Sequence, residues 1–208
     1  MNFLITAGPT IENIDPVRFL TNRSSGKMGY ALADAAAKAG HEVLLVSGAV
    51  SIPAVENVKM VYIESASEMY NAVLREYQKA DVVIMSAAVA DFTPIKYYSQ
   101  KLKKNDENYL VLELKRTVDI LAYLGERCSK KQKLIGFAAE SENVIENARI
   151  KLKKKNLDWV IANNIATPGL GFQSDCNAVT MISRDGQIIE LQPQPKSELG
   201  KKIIKILQ

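Results

Sequence analysis

Arg18, Asn22, Arg23, Ser24, Ser25 and Lys27 fall within ten positions of one another in the stretch 8–29, GPTIENIDPVRFLTNRSSGKMG. Two guanidinium groups, an ammonium, a carboxamide and two hydroxyls all donate hydrogen bonds, so the chemistry this stretch suits is anion binding. Ser25-Gly26 then opens a helix, whose free first-turn amides also favour a negative ligand. Asp15-Pro16 has the order of an N-cap followed by proline at the first helical position, which predicts a short helical turn inside the stretch. The plainer reading is an irregular loop with a capping serine. The loop, 8–25, is long for a strand-to-helix connection, which usually takes about 2–6 residues. Long ordered loops at the carboxyl ends of strands tend to carry function.

Other residues could join it. Ala87-Ala88-Val89-Ala90-Asp91-Phe92 places small side chains, which let a ligand approach the backbone, beside one carboxylate. Lysines cluster at Lys101, Lys103 and Lys104 and again at Lys151, Lys153, Lys154 and Lys155. Each cluster suits a solvated face; two in one chain suit a small polyanionic substrate. Tyr97-x-x-x-Lys101, with Ser86 upstream, has the spacing of a short-chain dehydrogenase pair, so an NAD(P)-dependent Rossmann enzyme is the alternative. Against it, Pro94 and Lys103-Lys104-Asn105-Asp106 do not flank a buried helix, and no G-x-G-x-x-G follows the first strand. His41 is the only histidine and lies in Ala-Gly-His-Glu-Val, between helix and strand. That position is structural, which argues against histidine triads and histidine metal sites.

Over 208 residues the net charge is +4, too small for a general nucleic-acid binder. There is no aromatic strand motif of the RNA-recognition kind and no basic amphipathic helix with bulky anchors. No apolar run approaches the roughly 18–20 residues that span a bilayer. The start, MNFLITAGPT, lacks a basic leader. Cys128 and Cys176 have no C-x-x-C spacing, which suits reduced thiols. A cytoplasmic protein without nucleic-acid or membrane partners is expected.

The elements that must position these residues read as α/β. Strands are predicted at 2–7, 42–47, 58–63, 81–86, 133–138 and 158–162, and helices at 30–39, from Ser65-x-x-Glu68 (a capping box) to about 79, from Thr117 to about 128, and from Ser141 to about 155. That order predicts one doubly wound, Rossmann-like domain over 1–208: a mostly parallel sheet with helices on both faces. The segment 92–108 reads as a flexible flap, 109–114 as a strand and 167–175 as a loop. Strands at 178–182 and 187–191 flank Arg184-Asp185-Gly186 as a late β-hairpin, about 177–192, and a helix at 197–207 closes the chain with Gly200 inside it.

GPT-x-E-x-IDPVR-x-x-TNRSSGKMG resembles the opening of the phosphopantothenate–cysteine ligases (phosphopantothenoylcysteine synthetases) of coenzyme A synthesis. The likeness runs from Ile5 to Ser183. Ala87 to Phe92 is similar to the family's second motif, and Lys101-Leu102-Lys103-Lys104 to its flap. Gly136-Phe137-Ala138-Ala139-Glu140 with Ala148, Lys151-Leu152 and Lys155 is similar to its nucleotide-side segment, and Gly171-Phe172-x-Ser174-Asp175-x-Asn177 to its late loop. Thr117-Val118-Asp119-Ile120 stands where Asn-Pro-Asp-Ile is common, and Asn164 where Asp is common. The resemblance implies a Mg²⁺-assisted ligase that joins 4′-phosphopantothenate to L-cysteine through an acyl-cytidylate made from CTP, the nucleotide of the bacterial members this chain is most like. It implies that Asn22 contacts the pantothenate arm and its acyl group, and that Arg18 and amides near Ala88 hold the 4′-phosphate. Ala87, Asp91, Asp119, Ile120 and Phe137 would frame the cytidine, Lys151 and Lys155 would reach the nucleotide, and Lys101 would stabilise the first transition state. The Mg²⁺ ligands are not identified by the motifs. The family is dimeric, and the late hairpin is the candidate subunit contact. Many bacterial members carry a flavin-dependent decarboxylase domain ahead of this one; a chain starting at the ligase strand is expected to be the stand-alone form.

Overall fold

The computed structural model describes residues 1–103, 109–140, 142–164, 171 and 173–208. β1 (Asn2–Ala7) is a run of apolar side chains buried on both faces, as a central parallel strand requires. The predicted loop after it is not irregular. It contains β2 (Ile11–Asn13) and β3 (Phe19–Thr21), paired antiparallel with Glu12 opposite Leu20. Asp15 sits at their turn, where its Oδ1 accepts the Val17 and Arg18 N–H groups, both at 2.8 Å. The Asp-Pro pair therefore caps a hairpin turn, not the helical turn expected from N-cap chemistry. α1 (Lys27–Lys38) follows, then β4 (Glu42–Ser47), β5 (Lys59–Tyr62) and α2 (Ala66–Glu76). Ser65 caps α2 as expected, its Oγ accepting the Glu68 N–H at 3.2 Å, while Glu68 reaches one residue past the cap, to the Glu64 N–H at 2.8 Å.

β6 (Val82–Met85) leads into the segment read as a flap. Its base is ordered: β7 (Phe92–Pro94) pairs antiparallel with β8 (Leu114–Arg116), so the strand expected at 109–114 begins only at its last residue. Lys104, Asn105 and Asp106 lie outside the described residues. α3 (Ile120–Arg127) is capped by Asp119, whose Oδ1 accepts the Ala122 N–H at 2.9 Å. Thr117, the expected cap, instead donates its hydroxyl to Ala90 O at 2.6 Å and ties β8 to the exit of β6. β9 (Lys133–Glu140), α4 (Val144–Lys154) and β10 (Trp159–Asn164) complete the parallel part. The expected cap of α4, Ser141, lies outside the described residues, as do 165–170 and Phe172 of the late loop; the N-cap position is Asn143, at φ 47°. The late hairpin is longer than its turn signal suggested, β11 (Cys176–Ser183) and β12 (Ile188–Pro195), and α5 (Lys196–Leu207) closes the chain.

One eight-stranded sheet, in the order β12-β11-β10-β9-β6-β1-β4-β5, forms the middle layer. β5, β4, β1, β6, β9 and β10 are mutually parallel; β11 runs antiparallel to them, and β12, antiparallel to β11, runs in their direction again. Alternation along the strands separates two cores. Phe3, Ile5, Ile84, Ile161, Val179 and Met181 pack under α1 and α5; Leu4, Val46, Val83, Leu134 and Val160 pack under α2, α3 and α4. The fold is the doubly wound α/β arrangement expected, and its open crevice lies beyond the carboxyl ends of the parallel strands. His41 is structural, as expected: its ring stacks on Phe3 with centroids 5.0 Å apart, and its Nε2 lies 2.7 Å from Gln208 Nε2. Gly200 lets α5 approach α1, since a Cβ there would stand 2.6 Å from Ala31 O.

A closer contact joins α3 to the end of α4. A Cβ on Gly125 would stand 1.9 Å from Lys155 O, and Asn156 Nδ2 donates to Gly125 O at 2.6 Å. Gly125→Ala is expected to push the two helices apart and destabilise the protein by about 1–3 kcal/mol. Urea unfolding checks this, and an unchanged midpoint would mean that the contact yields freely.

Candidate active site

A cavity of about 1050 Å³ opens beyond the carboxyl ends of β1, β6, β9 and β10. Asn22, Ala87, Ala88, Asp91, Asp119, Ile120, Phe137, Lys151 and Lys155, all singled out from the sequence, line it. Arg18 and Lys101 are not among the lining residues.

One wall is the joint between the β2–β3 hairpin and the exit of β6. Ala88 extends the β1–β6 pairing: its N–H donates to Gly8 O at 2.9 Å and its carbonyl accepts from Thr10 N at 3.4 Å. Asn22 Nδ2 donates to Ala88 O at 3.0 Å and to Val89 O at 3.3 Å. Asn22 thus bridges two chain segments at the cavity edge. Nearby amides are already partnered: Ala87 N–H donates to Thr6 Oγ1 at 3.2 Å and Ala90 N–H to Thr10 Oγ1 at 3.0 Å.

Arg18, expected to hold a phosphate, sits beside Asp15. The Asp15 carboxylate has a fully buried side chain, and the Arg18 guanidinium holds it with Nε 2.9 Å from Oδ2. The same guanidinium donates to Leu102 O at 2.8 Å, while the Leu102 N–H donates to Asp15 Oδ2 at 3.1 Å. The Arg18 hydrogen bond outweighs burial and holds the Asp15 carboxyl well below the usual carboxylate range. A buried carboxylate needs such a cation, so Nε and Nη2 of Arg18 are committed to Asp15 and Leu102, while the Ala88 N–H is committed to Gly8 O. The two residues instead form a clasp on Leu102, next to exposed Lys101 and Lys103. Lys104 lies outside the described residues.

The opposite wall comes from α3, α4 and β9. Lys151 Nζ donates to Phe137 O at 2.6 Å; burial, set against the nearby Glu140, lowers its pKa. Lys155 pairs with Asp119. Burial would raise the Asp119 carboxyl, but the Lys155 ammonium and the Ala122 N–H together bring it below its ordinary value. Two ammonium groups one helical turn apart therefore stand over the end of β9, beside the half-buried Phe137 ring and buried Ile120.

The floor is the N-terminus of α1. Gly26 takes φ 78°, a left-handed conformation that suits glycine, and gives α1 no side-chain cap. Gly26, Lys27, Met28 and Gly29 line the cavity, and a Cβ on Gly29 would stand 2.5 Å from Ala7 Cβ and 2.7 Å from Ser86 Oγ. Lys27 Nζ bonds Asp175 Oδ1 at 2.5 Å and Gln173 O at 3.0 Å, which fastens the late loop to this helix end. Asn177, which closes the late-loop motif but was given no role, also lines the cavity, as do Asn163 and Lys196, which were not assigned from sequence because a buried asparagine and a helix-opening lysine carry no spacing signal.

The dehydrogenase alternative has no support here. Ser86 Oγ donates to Thr6 O at 2.5 Å, and Tyr97 and Lys101 lie on irregular chain, not on one helix face. Among the described residues no group of three or more His, Cys, Asp or Glu side chains could hold a metal ion, while Asp91 and Glu140 line the cavity as carboxylates. That donor set suits a cation that brings phosphate ligands with it. Among the described residues, no helix is long and apolar enough to cross a membrane.

Comparison with known proteins bears on the family and the fold. The family model described as the DNA/pantothenate metabolism flavoprotein C-terminal domain matches residues 1–208. The coenzyme A biosynthesis bifunctional protein CoaBC of Bacillus subtilis (strain 168) is 49% identical over 203 residues, 97% of this chain and 50% of that protein. The chain thus spans about half the length of the curated relatives it matches. A crystal structure of the C-terminal domain of a CoaBC protein is 48% identical, covers 99% of this chain and 93% of its own, and has a TM-score of 0.84. A mutant Cab2 protein in complex with phosphopantothenate-cysteine shares the fold, with a TM-score of 0.78 at 16% identity over 99% of this chain and 84% of its own. Similar along its length to the C-terminal domain of a CoaBC protein, the chain belongs to the DNA/pantothenate metabolism flavoprotein C-terminal domain family.

Proposed function

We propose that this domain joins 4′-phosphopantothenate to L-cysteine through an acyl-cytidylate formed from CTP. The observation that carries the reading is that one cavity has two chemically different walls. The Asn22–Ala88 joint suits an amide-rich arm, and Phe137, Lys151, Lys155 and Asp119 suit a nucleotide. A carboxylate is a poor electrophile in water, so amide formation needs activation. In the first step a carboxylate oxygen of 4′-phosphopantothenate attacks the α-phosphorus of CTP. The new O–P bond forms as the bond to the β-phosphate oxygen breaks, and pyrophosphate leaves with that electron pair. In the second, the neutral cysteine amine attacks the acyl carbon, CMP leaves with the C–O pair, and the amine proton passes to solvent or substrate.

The cations oppose charge that builds on the bridging and leaving oxygens. Lys151 and Lys155 face one side of the path and the bare α1 N-terminus the other. Asn22 positions the acyl group, and Lys101 on the clasped segment supplies charge in the first transition state. Mg²⁺ bound to the triphosphate, within reach of Asp91 or Glu140, would neutralise phosphate charge. A cytoplasmic homodimer is part of the same reading, testable by sedimentation. Nucleotide choice tests the reading most cheaply: CTP should support turnover far better than ATP, because Asp91 and neighbouring backbone groups would read the pyrimidine edge. Equal kcat/KM for the two would overturn the cytidine assignment and leave the ligase standing.

A further inference from the structure

We propose that Asn163, Asn177 and Lys196, beside the N-terminus of α1, form the subsite for the β,γ-diphosphate of the nucleotide and hold it as it departs as pyrophosphate. This rests on the nucleotide reading above and assigns residues that reading does not use. All three side chains line the cavity, with residue exposures of 7%, 3% and 5%. On β10, Ile161 faces α1 and α5, so alternation puts Asn163 on that same face, opposite Val179 and one step nearer the crevice. The base-side residues Lys151, Lys155 and Asp119 belong to α4 and the start of α3, on the other face of the sheet. A nucleotide seated against them reaches the α1 face only with its phosphate end.

Asn163 supplies the mark of a ligand. Its Oδ1 is buried and has no hydrogen-bond partner among the described residues. Oxygen and nitrogen of a carboxamide exchange by a half-turn, so the group serves a phosphate oxygen as donor or a phosphate-bound water as acceptor. Asn177 Oδ1 accepts the Ala178 N–H at 3.0 Å, so what it has left to offer is Nδ2, a donor. Lys196 Nζ is held by Gly171 O at 2.8 Å and Ser174 O at 2.6 Å. Burial and the neighbouring Lys27 charge lower its pKa to about 8, a strain that a phosphate would relieve. Two lysines, two buried carboxamides and an uncapped helix N-terminus together match a diphosphate and match no other part of the nucleotide.

Calorimetric titration of the whole chain with CTP, CMP and inorganic pyrophosphate, each with Mg²⁺, tests this. Lys196→Met and Asn163→Asp should each weaken CTP and pyrophosphate about tenfold or more and leave CMP unchanged. Lys196→Arg should restore most of the loss, which a general loosening of the late loop would not allow. Equal weakening of CTP and CMP, or no weakening of either, would overturn the subsite. A wild-type protein that binds neither CTP nor CMP would overturn the nucleotide reading itself.

Discussion

Asn22→Asp is expected to lower the rate of amide formation by about 10²-fold or more while the fold persists. Asn22 Nδ2 now donates to Ala88 O and Val89 O across the cavity edge. A carboxylate has no hydrogen to donate, so those two carbonyls would face a negative oxygen instead. The same charge would stand beside the acyl phosphate, where it opposes attack by cysteine more than formation of the intermediate. The acyl-cytidylate should therefore accumulate. Quench-flow analysis with separate assays for pyrophosphate and product checks this. If the first half-reaction is as impaired as the second, Asn22 acts before the intermediate forms.

Lys101→Gln is expected to leave thermal stability near wild type and to slow acyl-cytidylate formation by about 10²–10³-fold. Lys101 is exposed and contributes nothing to either core. Its backbone neighbour Leu102 is the residue gripped on both sides by Asp15 and Arg18. The clasp sets where Lys101 begins, and in the proposed reaction the ammonium at the end of its four-carbon stem would act where charge shifts during attack on the α-phosphorus. Glutamine keeps most of the stem and removes the charge. Single-turnover kinetics separates the two steps. If Lys101→Gln forms the intermediate at the wild-type rate, the segment does not perform the chemistry assigned to it.

Much of this architecture could be read from residues because their local signals agree with their tertiary roles. The apolar runs at β1, β4 and β6 are buried on both faces, so neither length nor composition is ambiguous. Where the structure differs, one local rule met a longer-range partner. Asp15-Pro16 looks like a helix start, but Asp15 answers to Arg18 and Leu102, the latter 87 positions away. Thr117 looks like a cap, but its hydroxyl finds Ala90, and Asp119 two residues later does the capping. Asn163 and Lys196 escaped, and Asn177 was named in a motif without a role, because their place in the cavity depends on strand pairing and on which sheet face they occupy.

The central claim is that one carboxylate is activated by transfer of a nucleotide and then aminated. The most direct test is to incubate the purified chain with 4′-phosphopantothenate, L-cysteine, CTP and Mg²⁺ and to measure all products by mass spectrometry. The account predicts one phosphopantothenoylcysteine, one CMP and one pyrophosphate per turnover, with pyrophosphate released in the first turnover even without cysteine. Amide formed together with CDP and inorganic phosphate, or with the nucleotide left intact, would contradict it.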